Sequence, residues 1–185
     1  MAGTILPIGT TNPKFGAIQN DMRRIDGVTF HIPSGAGVTS APVGSIVTLQ
    51  EDSNGKQLII LGAAAYSGGS DEYGTMSIIA LGFLEAAEQS DSAINQTVGV
   101  YLDGDIATMV IDTSVVAMVP TVSGSAPVAG SVSYITAAGK LSSSSGSAVA
   151  FHGVVWYGTA GQQNSGQLKT GYCFAKMSVA MIGTV

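Results

Sequence analysis

Residues 40–49 read SAPVGSIVTL, and residues 125–135 read SAPVAGSVSYI, so a segment of the chain occurs twice. In the second copy, small polar serines alternate with Val132 and Tyr134. This alternation is typical of a strand with one apolar and one polar face. A repeat built from such segments predicts two related β-units rather than one irregular domain.

Three further landmarks follow each copy in the same order. A Gly-Lys pair comes first, then a Gly-apolar step into a strand, then a closing segment in which Gly is followed by Ala-x-Met. These landmarks are Gly55-Lys56, GFL (82–84) and GDIATMVI (104–111) in the first copy, and Gly139-Lys140, GVV (153–155) and GYCFAKMSV (171–179) in the second. Two copies are too few for a solenoid, so they predict two small β-units that pack face to face or share a barrel.

The turns after the repeated strands differ in sequence. Asn54-Gly55 lies between the apolar segments GSIVTLQ and KQLIIL. Asn-Gly readily takes positive φ at both turn positions, so this pair predicts a tight hairpin. In the second copy, TAAGK (136–140) occupies the same place, and we expect a looser turn there.

The composition favours a β-rich fold. Only 10% of the 185 residues are charged, against a usual value of about 25%, so few long charged side chains are available to coat exposed helices. Two short helices are predicted, one from the spacing of Phe15, Ile18, Met22 and Ile25 and one from FLEAAEQ (83–89). The expected fold is mainly β, with two related small β-barrel or β-sandwich units, an N-terminal arm and one or two short helices.

The landmarks also divide the chain. Residues 1–39 contain several Pro and Gly and take no part in the repeat, so they are interpreted as an N-terminal arm. Residues 40–115 form the first β-unit, lengthened by an acidic insertion around AAAYSGGSDEYGTM (63–76), and residues 116–185 form the second. An extra strand on the chain's own barrel remains an alternative to the arm.

Charge is unevenly distributed along the chain. Residues 1–35 sum to +1, residues 36–112 to −9 and residues 113–185 to +3, which gives the net charge of −5. One interpretation is drift in surface composition. The other is that an acidic face of one copy meets a basic face of something else, which would set orientation.

The same sequence features argue against several classes of protein. An acidic chain with seven scattered Lys and Arg residues is poorly suited to direct nucleic-acid binding. Its apolar runs are too short for a transmembrane helix, and its first residues lack the basic start and apolar core of a signal peptide. One cysteine permits no internal disulfide.

No pattern of catalytic or metal-binding residues stands out. A GxSxG motif is missing from the sequence, and only His31 and His152 are available as imidazole bases. Cys173 is interpreted as a small buried hydrophobe. Asp71-Glu72 and Asp103-Gly-Asp105 lie in Gly-rich turns, where Asp is common for backbone reasons. We therefore expect no enzyme, no cofactor and no metal.

The repeat unit resembles the small β-barrel of tailed-bacteriophage capsid decoration (cement) proteins. The second copy carries the resemblance most closely, through APVAGSVSYITAAGKLSSSSG, FHGVVWYGTAG and LKTGYCFAKMSVAMIG. The resemblance covers roughly residues 36–185 and consists of glycine placements and apolar alternation. This sequence differs from a single-unit protein in carrying two units.

The resemblance implies a non-enzymatic protein on the capsid exterior, made in the bacterial cytoplasm. It would bind the major capsid protein at junctions between subunits, stabilise the shell and associate with other copies of itself as a trimer or dimer. Three candidate contact regions are the arm, the acidic insertion and the basic second unit. Their residues are Phe15, Ile18, Met22, Arg23 and Arg24; Asp71, Glu72 and Tyr73; and Lys140, Lys169 and Lys176.

Two other classes of protein remain open from the residues alone. One is a phage tail or fibre component, or a receptor-binding or carbohydrate-binding β-module, which would need aromatic and polar groups clustered at one loop end. Trp156 and Tyr157 are adjacent, which points to opposite faces of a strand rather than one sugar platform. The other is a hydrolase that uses the acidic turns, which would need two carboxylates close together in a cleft.

Overall fold

The computed structural model describes residues 24–68, 73–85, 99–113, 115–124, 127, 129–146, 148–157 and 171–178. These residues form thirteen strands and a short 3₁₀ helix, Ser34–Ala36. The prediction of a mainly β fold is confirmed. None of the helices in the described part of the chain has the length and hydropathy that crossing a bilayer requires.

A closed five-stranded barrel forms the first unit. Its strands and those of a small neighbouring sheet are β1 (Arg24–His31), β2 (Ser40–Pro42), β3 (Ile46–Glu51), β4 (Gln57–Leu61), β5 (Ser77–Leu84), β6 (Val100–Leu102) and β7 (Ile106–Val110). The barrel order is β1-β4-β3-β5-β7, and β2 pairs with β6 beside it. The barrel closes through β1, which runs parallel to β4 and antiparallel to β7. Closure leaves the barrel strands without free edges.

The second unit consists of two three-stranded sheets. Its strands are β8 (Ala117–Pro120), β9 (Ser133–Ile135), β10 (Leu141–Ser142), β11 (Val149–Phe151), β12 (Gly153–Tyr157) and β13 (Tyr172–Met177). The sheet orders are β10-β9-β11 and β12-β13-β8. A parallel bridge between Thr121, just after β8, and Leu141 of β10 links the two sheets.

Strand pairing in the second unit repeats that in the first. The β9–β10 hairpin corresponds to β3–β4, and the antiparallel β8–β13 pair corresponds to β1–β7. The long strand β5 pairs with both β3 and β7, and its counterpart is divided at His152 into β11, which pairs with β9, and β12, which pairs with β13. The Thr121–Leu141 bridge has the parallel sense of the β1–β4 pair. The repeat in the sequence therefore corresponds to a pattern of strand pairing that occurs in both units.

The two hairpin turns have the same geometry. In the first, the Gly55 amide donates to the Asp52 carbonyl at 3.1 Å, and the Lys56 amide donates to Asp52 Oδ1 at 2.9 Å. In the second, the Gly139 amide donates to the Thr136 carbonyl at 3.0 Å, and the Lys140 amide donates to Thr136 Oγ1 at 3.2 Å. Positive φ occurs at the glycines and not at Asn54, so the prediction of positive φ at both positions was wrong. The prediction of a looser second turn was also wrong, because a Thr hydroxyl replaces the Asp carboxylate as acceptor.

The units share a core across the outer face of the barrel. Ile46, Leu81 and Phe83 of the first unit pack with buried apolar residues of the second, among them Ile135 and Leu141. The inside of the barrel is filled by a separate cluster that includes Phe30, Val47, Ile59, Leu61 and Met109. The described core is thus divided into a cluster within the barrel, a cluster between the units and a smaller third cluster of Leu58, Ile60, Tyr66 and Met76.

Three glycines let the backbones of the two units approach each other at this shared core. A β-carbon on Gly44 would collide with the Met118 carbonyl oxygen. A β-carbon on Gly62 would lie 3.0 Å from the Ala137 carbonyl oxygen, and one on Gly139 would lie 2.6 Å from the Ile46 carbonyl oxygen. We call the region around these three glycines the glycine seam. It brings the units closer than side chains would allow.

Two predictions about the ends of elements are corrected. Phe83 and Leu84, placed at the start of a helix, belong to β5, where they pair with Val110 and Met109 of β7; residues 86–89 lie outside the described residues. Residues 24–31, placed in an arm, form a strand of the barrel, as the alternative interpretation has it. Residues 1–23 lie outside the described part.

Candidate functional site

The candidate contact residues near the N-terminus fall mostly outside the described residues. The candidates outside the described residues are Phe15, Ile18, Met22 and Arg23. Arg24 lies at the start of β1, and its guanidinium Nη2 is 2.5 Å from Glu85 Oε1. This ion pair joins β1 to the residue after β5, so the charge of Arg24 makes a contact within the first unit.

Of the three candidate contact residues in the acidic insertion, the structure describes Tyr73. Asp71 and Glu72 lie outside the described residues. The ring centroid of Tyr73 is 5.1 Å from that of His31, and Lys56 Nζ lies 4.3 Å from the Tyr73 ring centroid. A cation at this distance from an aromatic ring is attracted to the ring quadrupole. Tyr73 is therefore packed against the chain's own residues.

His31 lies at the end of β1 between two tyrosines. Its ring centroid is 5.2 Å from that of Tyr66, on the side of the insertion. Asp103 Oδ1 is 3.0 Å from His31 Nδ1 and accepts a hydrogen bond from the Ile32 amide at 2.8 Å. The His31 side chain is 7% exposed, so the ring is a packed element that ties β1 to the turn after β6.

Gln50 fixes the start of the insertion on the outside of the barrel. It is fully buried, and its Nε2 donates to Thr48 Oγ1 at 2.7 Å and to the Ala64 carbonyl at 2.8 Å. Its Oε1 accepts from the Tyr66 amide at 2.8 Å. A buried amide that uses both ends in this way holds the segment in one position.

A groove of about 270 Å³ lies between the 3₁₀ helix and residues 61–68, with Ala137 of the second unit in its lining. Small residues such as Gly35, Ala36 and Ala63 form much of the lining. A ligand pocket needs polar groups that converge on the ligand to fix its orientation. Lining residues this small provide few side-chain groups for such a role.

The basic candidates do not form one described cluster. Lys140 lies in the β9–β10 turn, where its amide bonds to Thr136. Lys176 lies in β13, in the other sheet of the second unit, opposite Val154 of β12. Lys169 lies outside the described residues.

Other chemical candidates are scattered. Burial raises the pKa of the Cys173 thiol to about 12, which removes nucleophilic thiolate at neutral pH. His152 is exposed between β11 and β12, and its carbonyl accepts from the Ser178 amide at 3.0 Å. Among the described residues, no group of three His, Cys, Asp or Glu side chains is placed to hold a metal ion.

Exposed apolar side chains form two groups that the sequence analysis missed. The first, here the β6–β7 patch, consists of Val100, Leu102 and Ile106, which are 38–63% exposed. The second, here the β8–β12 patch, consists of Val116, Met118 and Val154, which are 38–49% exposed. Strand alternation separates two faces of a strand, but it does not tell which face another element covers.

Comparison with known protein families, with curated proteins and with solved structures found no match to this chain.

Proposed function

We propose that the chain is a non-enzymatic structural protein that binds the outer surface of a phage capsid at junctions between major capsid protein subunits and stabilises the shell. The observation that supports the proposal is the structural role of the glycines in the two repeated Gly-apolar segments, GFL (82–84) and GVV (153–155). Gly82 lies near the end of β5 and Gly153 is the first residue of β12. Each lies against a backbone carbonyl of a closing strand, Val110 for Gly82 and Lys176 for Gly153. The residues behind the resemblance are thus the ones that shape the two units.

The architecture suits a protein that acts by attachment. The shared core and the glycine seam join two small units into one body, and two exposed apolar patches are available on its surface. Weak contacts of this kind, repeated over a lattice of identical subunits, sum to a large stabilisation of the shell. The partners in this proposal are the major capsid protein and other copies of the chain, and the location is the exterior of the virion.

The first experiment is a count of this chain in purified particles from its source, by quantitative mass spectrometry against the major shell protein. A ratio near one, or a simple fraction of one, supports a decoration protein. A few copies per particle would instead favour a tail or fibre component with receptor-binding function. Absence from the particles would overturn the viral assignment.

The second experiment measures shell stability directly. Purified full-length chain is added to DNA-filled shells that lack it, and the temperature of DNA release is recorded as the added amount increases. We expect this temperature to rise and to level off at the copy ratio found by mass spectrometry. Heat-denatured chain at the same concentration is the control, and an unchanged release temperature would contradict the proposal.

A further inference from the structure

The β6–β7 patch surrounds the turn that joins β6 to β7. Val100 and Leu102 are two residues apart on β6, so their side chains lie on the same face of that strand, and both are exposed. The turn at residues 103–105 is tight, because the Asp105 amide donates to the Leu102 carbonyl at 3.2 Å. Ile106 follows this turn as the first residue of β7 and is 63% exposed. The three apolar side chains are therefore grouped at one turn of the first unit.

Two carboxylates in the same turn are held in place by backbone amides. Asp103 Oδ1 accepts a hydrogen bond from the Ile32 amide at 2.8 Å and lies 3.0 Å from His31 Nδ1. Asp105 Oδ2 accepts from the Leu102 amide at 2.7 Å. The Asp103 side chain is 59% exposed, and Asp105 is also exposed. The turn therefore presents two acidic groups to solvent beside the exposed apolar side chains.

The surroundings of the patch are also acidic. Residues 36–112 contain ten Asp and Glu residues and Lys56 as their only Lys or Arg. On the neighbouring strand β1, Asp26 is exposed near the part of the strand that pairs with β7. Arg24 lies at the end of β1 remote from this turn, where its guanidinium pairs with Glu85. A surface with this charge attracts a basic partner and repels an acidic one.

We infer, on the basis of the proposed function, that the β6–β7 patch is the face of the chain that contacts the shell, and that the facing surface of the major shell protein combines apolar side chains with Lys or Arg. Specific interfaces commonly have an apolar centre and a polar rim, and the patch has both parts. A purely apolar covering surface would leave Asp103 and Asp105 in the contact without opposite charges, which is costly. The proposed function names the partner, and the patch adds which face is used and what chemistry the partner presents.

Two double variants separate the apolar part of this contact from its charges. Leu102→Ser with Ile106→Thr removes apolar side chains, and we expect binding to be at least about tenfold weaker, mainly through faster dissociation. Asp103→Asn with Asp105→Asn removes both charges but keeps amide oxygens that can accept the same backbone hydrogen bonds. We expect this variant to associate about threefold more slowly and to lose most of the salt dependence of binding.

The test measures binding to the DNA-filled shells that lack the chain. The shells are immobilised, and the association and dissociation of purified full-length proteins are recorded at low and at high salt. The wild type is measured first, because its binding tests the proposed function independently of the variants. Circular dichroism checks that each variant is folded. If Leu102→Ser with Ile106→Thr does not fold, the pair Asp103→Asn and Asp105→Asn decides the test through its salt dependence.

Each patch variant has a matched control. Met118→Thr with Val154→Thr alters two exposed apolar side chains of the β8–β12 patch, so it controls for the loss of apolar surface as such. Glu51→Gln with Asp52→Asn removes two charges from a different turn of the same unit and keeps their acceptor oxygens. Binding of both controls should stay within about twofold of the wild type, because charges outside the contact are screened by salt.

Four results with the variants would overturn the inference. If both patch variants bind shells as the wild type does, the contact lies elsewhere while the proposed function stands. If the charge variant keeps the full salt dependence, the facing surface is not basic at this point. If only Met118→Thr with Val154→Thr weakens binding, the other patch faces the shell. If sedimentation velocity shows oligomers of the isolated wild type that Leu102→Ser with Ile106→Thr dissociates, a second copy covers the patch.

The wild type alone distinguishes the two levels of the proposal. A wild-type chain that does not bind shells would overturn the proposed function and the inference together. A wild-type chain that binds, with patch variants that bind equally well, would overturn the inference alone.

Discussion

Gly139 and Ile46 are in backbone contact across the two units. The Ile46 amide donates a hydrogen bond to the Gly139 carbonyl at 2.9 Å, and a β-carbon on Gly139 would lie 2.6 Å from the Ile46 carbonyl oxygen. Gly55 has the same position in the other hairpin turn, yet a β-carbon there would meet nothing within 4 Å. Gly139 and Gly55 thus have the same turn geometry and differ in whether a second unit is packed against them.

This difference predicts unequal costs for Gly139→Ala and Gly55→Ala. Both glycines have positive φ, +67° and +80°, so each substitution should cost about 1–2 kcal/mol from backbone strain. Gly139→Ala should cost about 1–3 kcal/mol more, because the methyl group overpacks the seam. Urea unfolding measures both free energies. Equal losses for the two variants would show that the units are not tightly packed at this point.

Gln50→Leu should destabilise the protein by about 2–3 kcal/mol, because it leaves the buried Tyr66 amide without an acceptor and also removes the hydrogen bond to the carbonyl of the exposed Ala64. Hydrogen exchange at Tyr66 should also become faster, since its amide would no longer be held. Gln57→Leu is the control, because Gln57 is an exposed residue of the neighbouring strand that bonds to Glu51; its change in unfolding free energy should stay within about 0.5 kcal/mol. A similar small effect at Gln50 would rule out its role in fixing the insertion.

Because the Cys173 thiol is buried, the free energy of unfolding should decrease at alkaline pH. The folded thiol keeps its proton until its pKa of about 12, whereas a thiol at its ordinary pKa of 9.0 in the unfolded chain loses it earlier. The unfolded chain therefore binds fewer protons between these values, and the unfolding free energy falls as pH rises through this window. From pH 8 to pH 10.5, the wild type should lose about 2 kcal/mol more than Cys173→Ala.

Cys173→Ala corrects for Tyr and Lys residues that titrate in the same range, because it retains all of them. Denaturant unfolding of both proteins at each pH gives the comparison. Parallel pH profiles for the wild type and the variant would mean that the Cys173 thiol is not shielded from water in the folded chain.

The Arg24–Glu85 pair should contribute a measurable coupling energy. Its side chains are 30% and 18% exposed, so water screens the pair only in part. A double-mutant cycle with Arg24→Ala and Glu85→Ala should give about 0.5–1 kcal/mol. In 1 M salt the coupling should weaken, because the screening length falls to about 3 Å. Additive single substitutions at low salt would show that the two side chains do not interact in solution.

The sequence predicted the strands correctly where the local residue pattern and the packing of the folded chain favour the same structure. The repeated landmarks mark corresponding strands, and Asn54-Gly55 marks a real hairpin. The FLEAAEQ helix was wrong at Phe83 and Leu84 because pairing with β7 and burial in the core outweigh helix propensity. The β1 strand was hidden by a Pro-rich and Gly-rich segment that is not part of the detected repeat.

The surface was harder to predict than the fold. Tyr73 was identified from its place in the insertion, but its contact with His31 joins residues far apart in the sequence. The pairing of Asp103 with His31 likewise depends on how the turn after β6 meets the end of β1. Met118 and Val154 are exposed because the opposite face of their sheet packs on the shared core. No local sequence pattern shows which face of the sheet does so.

The placement of β1 sets an order for folding during synthesis. β1 is the first described strand to leave the ribosome, but its partners are β4, near residue 60, and β7, which ends at Val110. The barrel can close only after that residue has emerged, since pairing of distant strands waits for the later strand. Even then, Ile46, Leu81 and Phe83 remain uncovered until the second unit is made. A nascent chain that stalls between the two units would expose an apolar surface and be prone to aggregate.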